Sequence, residues 1–149
     1  MLTVGITVEH LAELYSDPYI ASRIAHDDRQ PLPVFHELAF YLSAWVDGKF
    51  AGAFLVIKYT DHDWELHSLL KREFLKYSRS FGRECIAYCF GRGVNRLTVW
   101  IIDGLKTVEN FCLKLGFSKD GVRRSACLKD GVFRDVHMYG MTRIDWETK

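Results

Sequence analysis

The chain has 149 residues, 48% of them hydrophobic and 14% aromatic, enough for one well-packed core and too few for two comfortable ones. Twenty Lys and Arg against nineteen Asp and Glu leave a net charge of +1, so no global field draws the chain to nucleic acid, an acidic membrane surface or an anionic substrate. Any anion site has to be local, and the expectation is a single domain over residues 1–149.

Apolar stretches stay well short of the ~20 residues needed to span a bilayer, and the opening MLTVGITVEH has no basic leader followed by a long apolar run. A soluble, cytoplasmic protein is expected. Cys85, Cys89, Cys112 and Cys127 form no CxxC pair, which argues for buried reduced thiols over a disulfide framework, and no metal site is expected.

Two short helices are predicted first. Thr7 precedes VEHLAEL as a cap, and Asp17 caps PYIASRIA with Pro18 just inside. After DDRQPLP, the runs LAFYLSAWV and AGAFLVIKY flank Asp47-Gly48 and predict a long antiparallel hairpin. Trp64 to Leu70 alternates as a third strand, placing Glu65 and His67 on one face.

YSRSFGRECIAYCF, Tyr77 to Phe90, reads as a loop running into a helix from Arg83, ended by GRG; RLTVWII is then a strand apolar on both faces and therefore central. Leu105, Val108, Cys112 and Leu115 mark a further helix stopped at Gly116, and Asp130-Gly131 turns a last hairpin. The order gives a mixed α/β sheet whose parallel pairing crosses the helix starting near Gly82.

FCLKLGFSKDGVRRSACLKDGVFRDVHMYGMTRIDW, above all LKLGF followed by DGVFRDVHMYGM, resembles the C-terminal half of the GNAT superfamily, the acetyl-CoA-dependent N-acyltransferases. ELHSLLKREFLKYSRSFGREC resembles that family's fourth strand and pyrophosphate loop. The resemblance implies an α/β, GNAT-like (acyl-CoA N-acyltransferase) fold. Its central sheet would be mixed but mostly antiparallel, with about six or seven strands flanked by about four helices. It also implies acetyl-CoA as cofactor and direct transfer to a small or protein amine between two splayed strands.

The implied cofactor contacts run from Leu69 and Leu70 at the strand end through Tyr77, Ser78, Arg79, Ser80, Phe81, Gly82 and Arg83. The family's Arg/Gln-x-x-Gly-x-Gly/Ala pattern becomes Tyr77, Ser80 and Gly82, so only the last glycine is kept. Arg79 and Arg83 with the hydroxyls of Ser78 and Ser80 offer side-chain donors instead. The competing reading is an ordinary helix start with solvated arginines.

Glu65 and His67 match the region of the family's general base, or else are polar residues of a half-exposed strand face. Cys112 stands where many relatives place a tyrosine that protonates the leaving thiolate, but it also falls on its helix's apolar stripe. Leu105 and Val108 occupy positions where relatives carry polar cofactor contacts, and Thr107 and Asn110 fall on other helix faces. Arg123, Arg124 and Arg134 are interspersed with Asp120, Asp130 and Asp135, a mixed hairpin surface and no nucleic-acid patch.

Two functions stay open. One is an acetyl-CoA-dependent N-acetyltransferase. The other is a non-catalytic interaction or assembly protein of the same fold, since the chain is also similar to acetyltransferase-like proteins of tailed bacteriophages; this would place it in the host cytoplasm or the virion. A homo-oligomer is a further expectation of the resemblance.

Overall fold

A computed structural model describes residues 1–25 and 27–148. The strands are β1 (Leu2–Val4), β2 (Ala39–Val46), β3 (Lys49–Lys58), β4 (Asp63–Leu70), β5 (Arg96–Ile102), β6 (Ser118–Lys129) and β7 (Val132–Thr142). The helices are α1 (Val8–Ser16), α2 (Pro18–Ile24), α3 (Ser78–Gly91), α4 (Lys106–Leu115) and α5 (Arg143–Glu147), with a 3₁₀ helix over Arg72–Tyr77. The strands form one sheet in the order β1-β2-β3-β4-β5-β7-β6. Every neighbouring pair is antiparallel except β4 and β5, which run parallel across α3.

Local chemistry accounts for most boundaries. The Thr7 hydroxyl accepts the His10 amide to start α1, and Asp17 accepts the amides of Tyr19 and Ile20 to start α2. Both hairpins turn where Asp-Gly pairs hold positive φ, at Asp47-Gly48 (49° and 77°) and Asp130-Gly131 (53° and 75°). Gly116 closes α4 in the left-handed region.

Three elements depart from the sequence reading. The chain opens on a strand, β1, which the order of elements read from the sequence lacked; it is three residues long and largely exposed, and is organised by pairing Leu2–Val4 with Leu42–Ala44. The expected loop before Arg83 is already helical. The Ser78 amide bonds back to the Leu75 carbonyl and α3 follows without a break, because nothing from Arg72 to Phe81 is a glycine or proline that would interrupt it. A fifth helix, α5, closes the chain behind a capping box of Thr142 and Asp145.

The sheet buries both faces. On one, Leu66, Leu70, Leu97 and Ile101 pack with Phe81, Cys85 and Ile86 of α3 and Cys112 of α4. On the other, Leu55 and Leu69 pack with Leu11, Leu14 and Ile20 of α1 and α2. The four cysteines are free and buried.

Arg143 ties the C-terminus to α3. Its Nη2 donates to the carbonyls of Phe90 at 2.6 Å and Val94 at 2.8 Å, and Trp146 stacks on Phe90 with ring centroids 4.9 Å apart. Phe90 lies in the last turn of α3 and Val94 in the segment after it, so the guanidinium adds a second donor to a helix-end carbonyl, in the favourable sense of the helix dipole, and fastens the turn that follows. Arg143→Ala is therefore expected to cost about 2 kcal/mol, read as a melting temperature lower by about 4–8 °C for a chain of this size.

Candidate functional site

β4 and β5 are paired only at Asp63–Arg96, Trp64–Leu97 and Glu65–Thr98. Side chains bind this end. The Thr98 hydroxyl donates to Asp63 at 2.6 Å and accepts from Arg96 Nε at 3.0 Å, and Arg96 continues to Asp120. Beyond that tie β4 runs on to Leu70 and β5 to Ile102 without pairing to each other, so the two central strands splay.

A cavity of about 280 Å³ fills the splay. Leu66, His67, Ser68 and Leu70 line it from β4, and Val99, Trp100 and Ile101 from β5. Leu75 and Ser78 approach from the start of α3, Thr107, Val108, Phe111 and Cys112 from α4, and Tyr19, Ile20, Arg23 and Ile24 from α2. Mostly apolar walls with a few placed polar groups are the usual character of a small-molecule site.

His67 and Glu65 form a dyad on the α1/α2 face of β4. His67 Nε2 lies 2.6 Å from Glu65 Oε2, and the carboxylate is only 3% exposed while the imidazole reaches the cavity. The sequence placed both residues on one face; their contact and the burial of Glu65 are what the structure adds. Trp100 meets the imidazole edge-on at 5.5 Å. Tyr59 also interacts with Glu65, and its phenol is raised above the usual value by burial first and by the Glu65 charge next. A carboxylate that fixes one ring nitrogen leaves the other to act, the arrangement that orients a general base.

A second pair, His137 Nε2 to Asp103 Oδ1 at 2.9 Å, lies outside the cavity walls.

The residues expected at the cofactor are spread over different environments. Leu70 and Ser78 line the cavity, whereas Leu69 packs against the α1/α2 layer. Tyr77 packs against the α3 core and its ring lies 6.3 Å from that of Phe81, which is itself core. Arg79, Ser80 and Arg83 are exposed on the first turns of α3. Gly82 is buried, and a Cβ on it would sit 2.8 Å from Leu115 Cδ1 and 3.3 Å from Phe111 Cζ, so this glycine lets α4 approach α3.

Cys112 is 4% exposed and lines the cavity; burial first, then Glu109, pushes its thiol up to about 12. It therefore holds its proton more tightly than an ordinary thiol near ~8.5.

Several lining residues were not legible in the sequence. Tyr19, Arg23 and Trp100 reach the cavity only through tertiary packing, and Ser68 only because β4 loses its neighbour. Thr107, expected on another helix face, lines the cavity beside Val108.

No family model and no curated protein matches the sequence. Solved structures do match. The spermidine N-acetyltransferase from Vibrio cholerae in complex with CoA and spermine superposes with a TM-score of 0.82 at 14% identity, over 98% of this chain and 98% of that one. An acetyltransferase of the GNAT family from Streptococcus pneumoniae gives 0.62 at 19% identity, over 72% and 68%. Ribosomal-protein-alanine N-acetyltransferase from Brucella melitensis gives 0.63 at 19%, over 70% and 68%. The fold is that of the GNAT acetyltransferases; the similarity to phage-borne proteins finds no support among these neighbours.

Proposed function

We propose that the protein is an acetyl-CoA-dependent N-acetyltransferase that passes an acetyl group directly to an amine. The observation that carries this reading is the His67–Glu65 dyad on the wall of the cavity between β4 and β5. Fold alone carries no chemistry; a buried carboxylate orienting an imidazole at a slot between splayed strands does suggest one.

The residues present fit a CoA-type ligand. The apolar slot extends to Ser78 in the first turn of α3, and Arg79 and Arg83, exposed on that helix, have no ion-pair partner among the described residues. Ser78, Ser80, Arg79 and Arg83 would hold its phosphates with charge-assisted hydrogen bonds, and Leu70, Val108 and Phe111 would flank its apolar arm. When bound, the cofactor supplies the activated acetyl group.

The chain's own residues handle the proton. With Glu65 accepting from Nε2–H of His67, the lone pair lies on Nδ1, which takes a proton from the acceptor ammonium and leaves a nucleophilic amine. Glu65 then balances the imidazolium. Cys112, which holds its proton near 12, is a poor donor to a leaving thiolate.

The alternative, a non-catalytic interaction or assembly role, draws on Gly82, the one glycine kept from the phosphate-binding pattern, which is occupied by packing against α4. Thermal unfolding with acetyl-CoA separates the two. At a hundred times its dissociation constant the cofactor is expected to add ~2.7 kcal/mol, a rise of about 5–11 °C for this size. No rise at millimolar acetyl-CoA would sink the transferase reading.

A further inference from the structure

The cavity carries an electrostatic asymmetry. Among the described residues no Asp or Glu lines it, and Arg23 is the lining residue with a fixed charge. Arg23 Cζ sits 3.8 Å from the centre of the Tyr19 ring, itself a lining residue, and Arg72 Cζ sits 5.8 Å from the same centre. Neither guanidinium has a carboxylate within ion-pair distance among the described residues; Arg23 Nη1 meets only the Ser22 hydroxyl, at 3.1 Å. Two guanidiniums on one aromatic ring, without a carboxylate partner among the described residues, make the surroundings of Tyr19 locally positive, and an anion bound there would be stabilised.

We propose that Arg23 and Arg72, held on Tyr19 at the α2 wall, bind a carboxylate or phosphate carried by the acceptor, so that the acceptor is an anionic amine and not a polyamine. This rests on the acetyl-transfer reading and narrows it to a substrate class. The position of Arg23 relative to the sheet favours the acceptor as the carrier of that anion. α2 and the His67–Glu65 dyad lie on one face, with Ile20 of α2 packed beside Leu69, whereas α3 and α4 cover the other. Arg23 thus stands on the side of the base, which must meet the acceptor, while Arg72, exposed at the head of the 3₁₀ helix that runs into α3, reaches the same Tyr19 ring from the end of β4. A guanidinium also matches the planar geometry of an oxyanion. A polyamine would find no carboxylate on these walls among the described residues.

Two measurements test this. In the first, inorganic phosphate is added to protein saturated with acetyl-CoA, with sodium chloride at equal ionic strength as control. Phosphate is expected to raise the melting temperature of the parent protein and to lose that effect in Arg23→Gln and in Arg72→Gln. No phosphate effect in the parent, or an effect that survives in both variants, overturns the proposal. A phosphate effect seen without acetyl-CoA but abolished by it assigns the guanidiniums to the cofactor and also overturns it. In the second, acetylation is compared within matched amines, phosphoethanolamine against ethanolamine and β-alanine against propylamine, with spermidine alongside. The anionic member is expected to have at least a tenfold higher kcat/KM. That ratio should collapse at least tenfold in Arg23→Gln and recover in part in Arg23→Lys, with the acetyl-CoA dissociation constant moving less than threefold. A preference for spermidine or for the amines without an anionic group overturns the proposal and leaves the transferase reading standing; absence of any acetyl-CoA binding removes that reading instead.

Discussion

His67→Gln is expected to lower kcat by about 10²–10⁴-fold, the range a positioned general base supplies, while acetyl-CoA binding measured by calorimetry stays within threefold. The imidazole is the titratable side chain that both reaches the cavity and touches a buried carboxylate, at 2.6 Å. Glutamine keeps a polar group of similar length and removes only the capacity to take a proton at neutral pH. Glu65→Gln should act through His67. It leaves a hydrogen-bonding group against Nε2 but no charge to balance the imidazolium, so its loss is expected to be smaller. The double variant should be no worse than His67→Gln alone, because residues that act as a unit are non-additive. If His67→Gln retains more than a third of the parent kcat, the dyad is a structural pair and the base lies elsewhere.

How much of this was readable beforehand follows the range of the forces involved. Turns and caps are decided within a few residues, so Asp47-Gly48, Asp130-Gly131, Thr7, Asp17 and Gly116 are all placed by sequence and stand where expected. The alternation Trp64–Leu70 likewise fixed Glu65 and His67 to one face, since period two is a property of the strand itself. What the sequence could not reveal depends on neighbours far along the chain. β1 exists only against β2, and the splay exists because β4 and β5 part after Glu65 and Thr98. Arg23 and Arg72 are 49 positions apart and meet only through Tyr19. Gly82 was read for phosphate because a pattern asked for glycine there, yet the space beside it is taken by Leu115 and Phe111, a helix-packing requirement that produces the same letter.

The glycine with the larger consequence is Gly52, and Gly52→Ala is expected to destabilise the fold by about 3 kcal/mol or more. Gly52 holds φ +141°, a conformation that side-chain-bearing residues rarely adopt. An added Cβ would lie 2.8 Å from the Leu70 Cα and closer still to the Leu69 carbonyl oxygen, both of them backbone, so relief requires moving β4 itself. By contrast, a Cβ on Gly82 meets only side-chain tips, and alanine there also gains roughly 1 kcal/mol of helix propensity. Gly52 faces Ala44 on β2 while Phe50 faces Trp45, leaving Ala51 as the extra residue of a bulge whose carbonyl accepts the Lys71 amide at 3.0 Å. The same few atoms thus set where β4 ends, where the 3₁₀ helix begins, and where Leu70 enters the cavity wall. Reduced entropy of the unfolded alanine chain returns only about 0.4–1 kcal/mol. Thermal unfolding of Gly52→Ala should therefore fall by about 6–12 °C, and whatever folded protein remains should lose much of its stabilisation by acetyl-CoA because Leu70 has shifted. A melting temperature within 2 °C of the parent would mean that β4 yields freely at Leu69–Leu70, and that the width of the splay is set elsewhere.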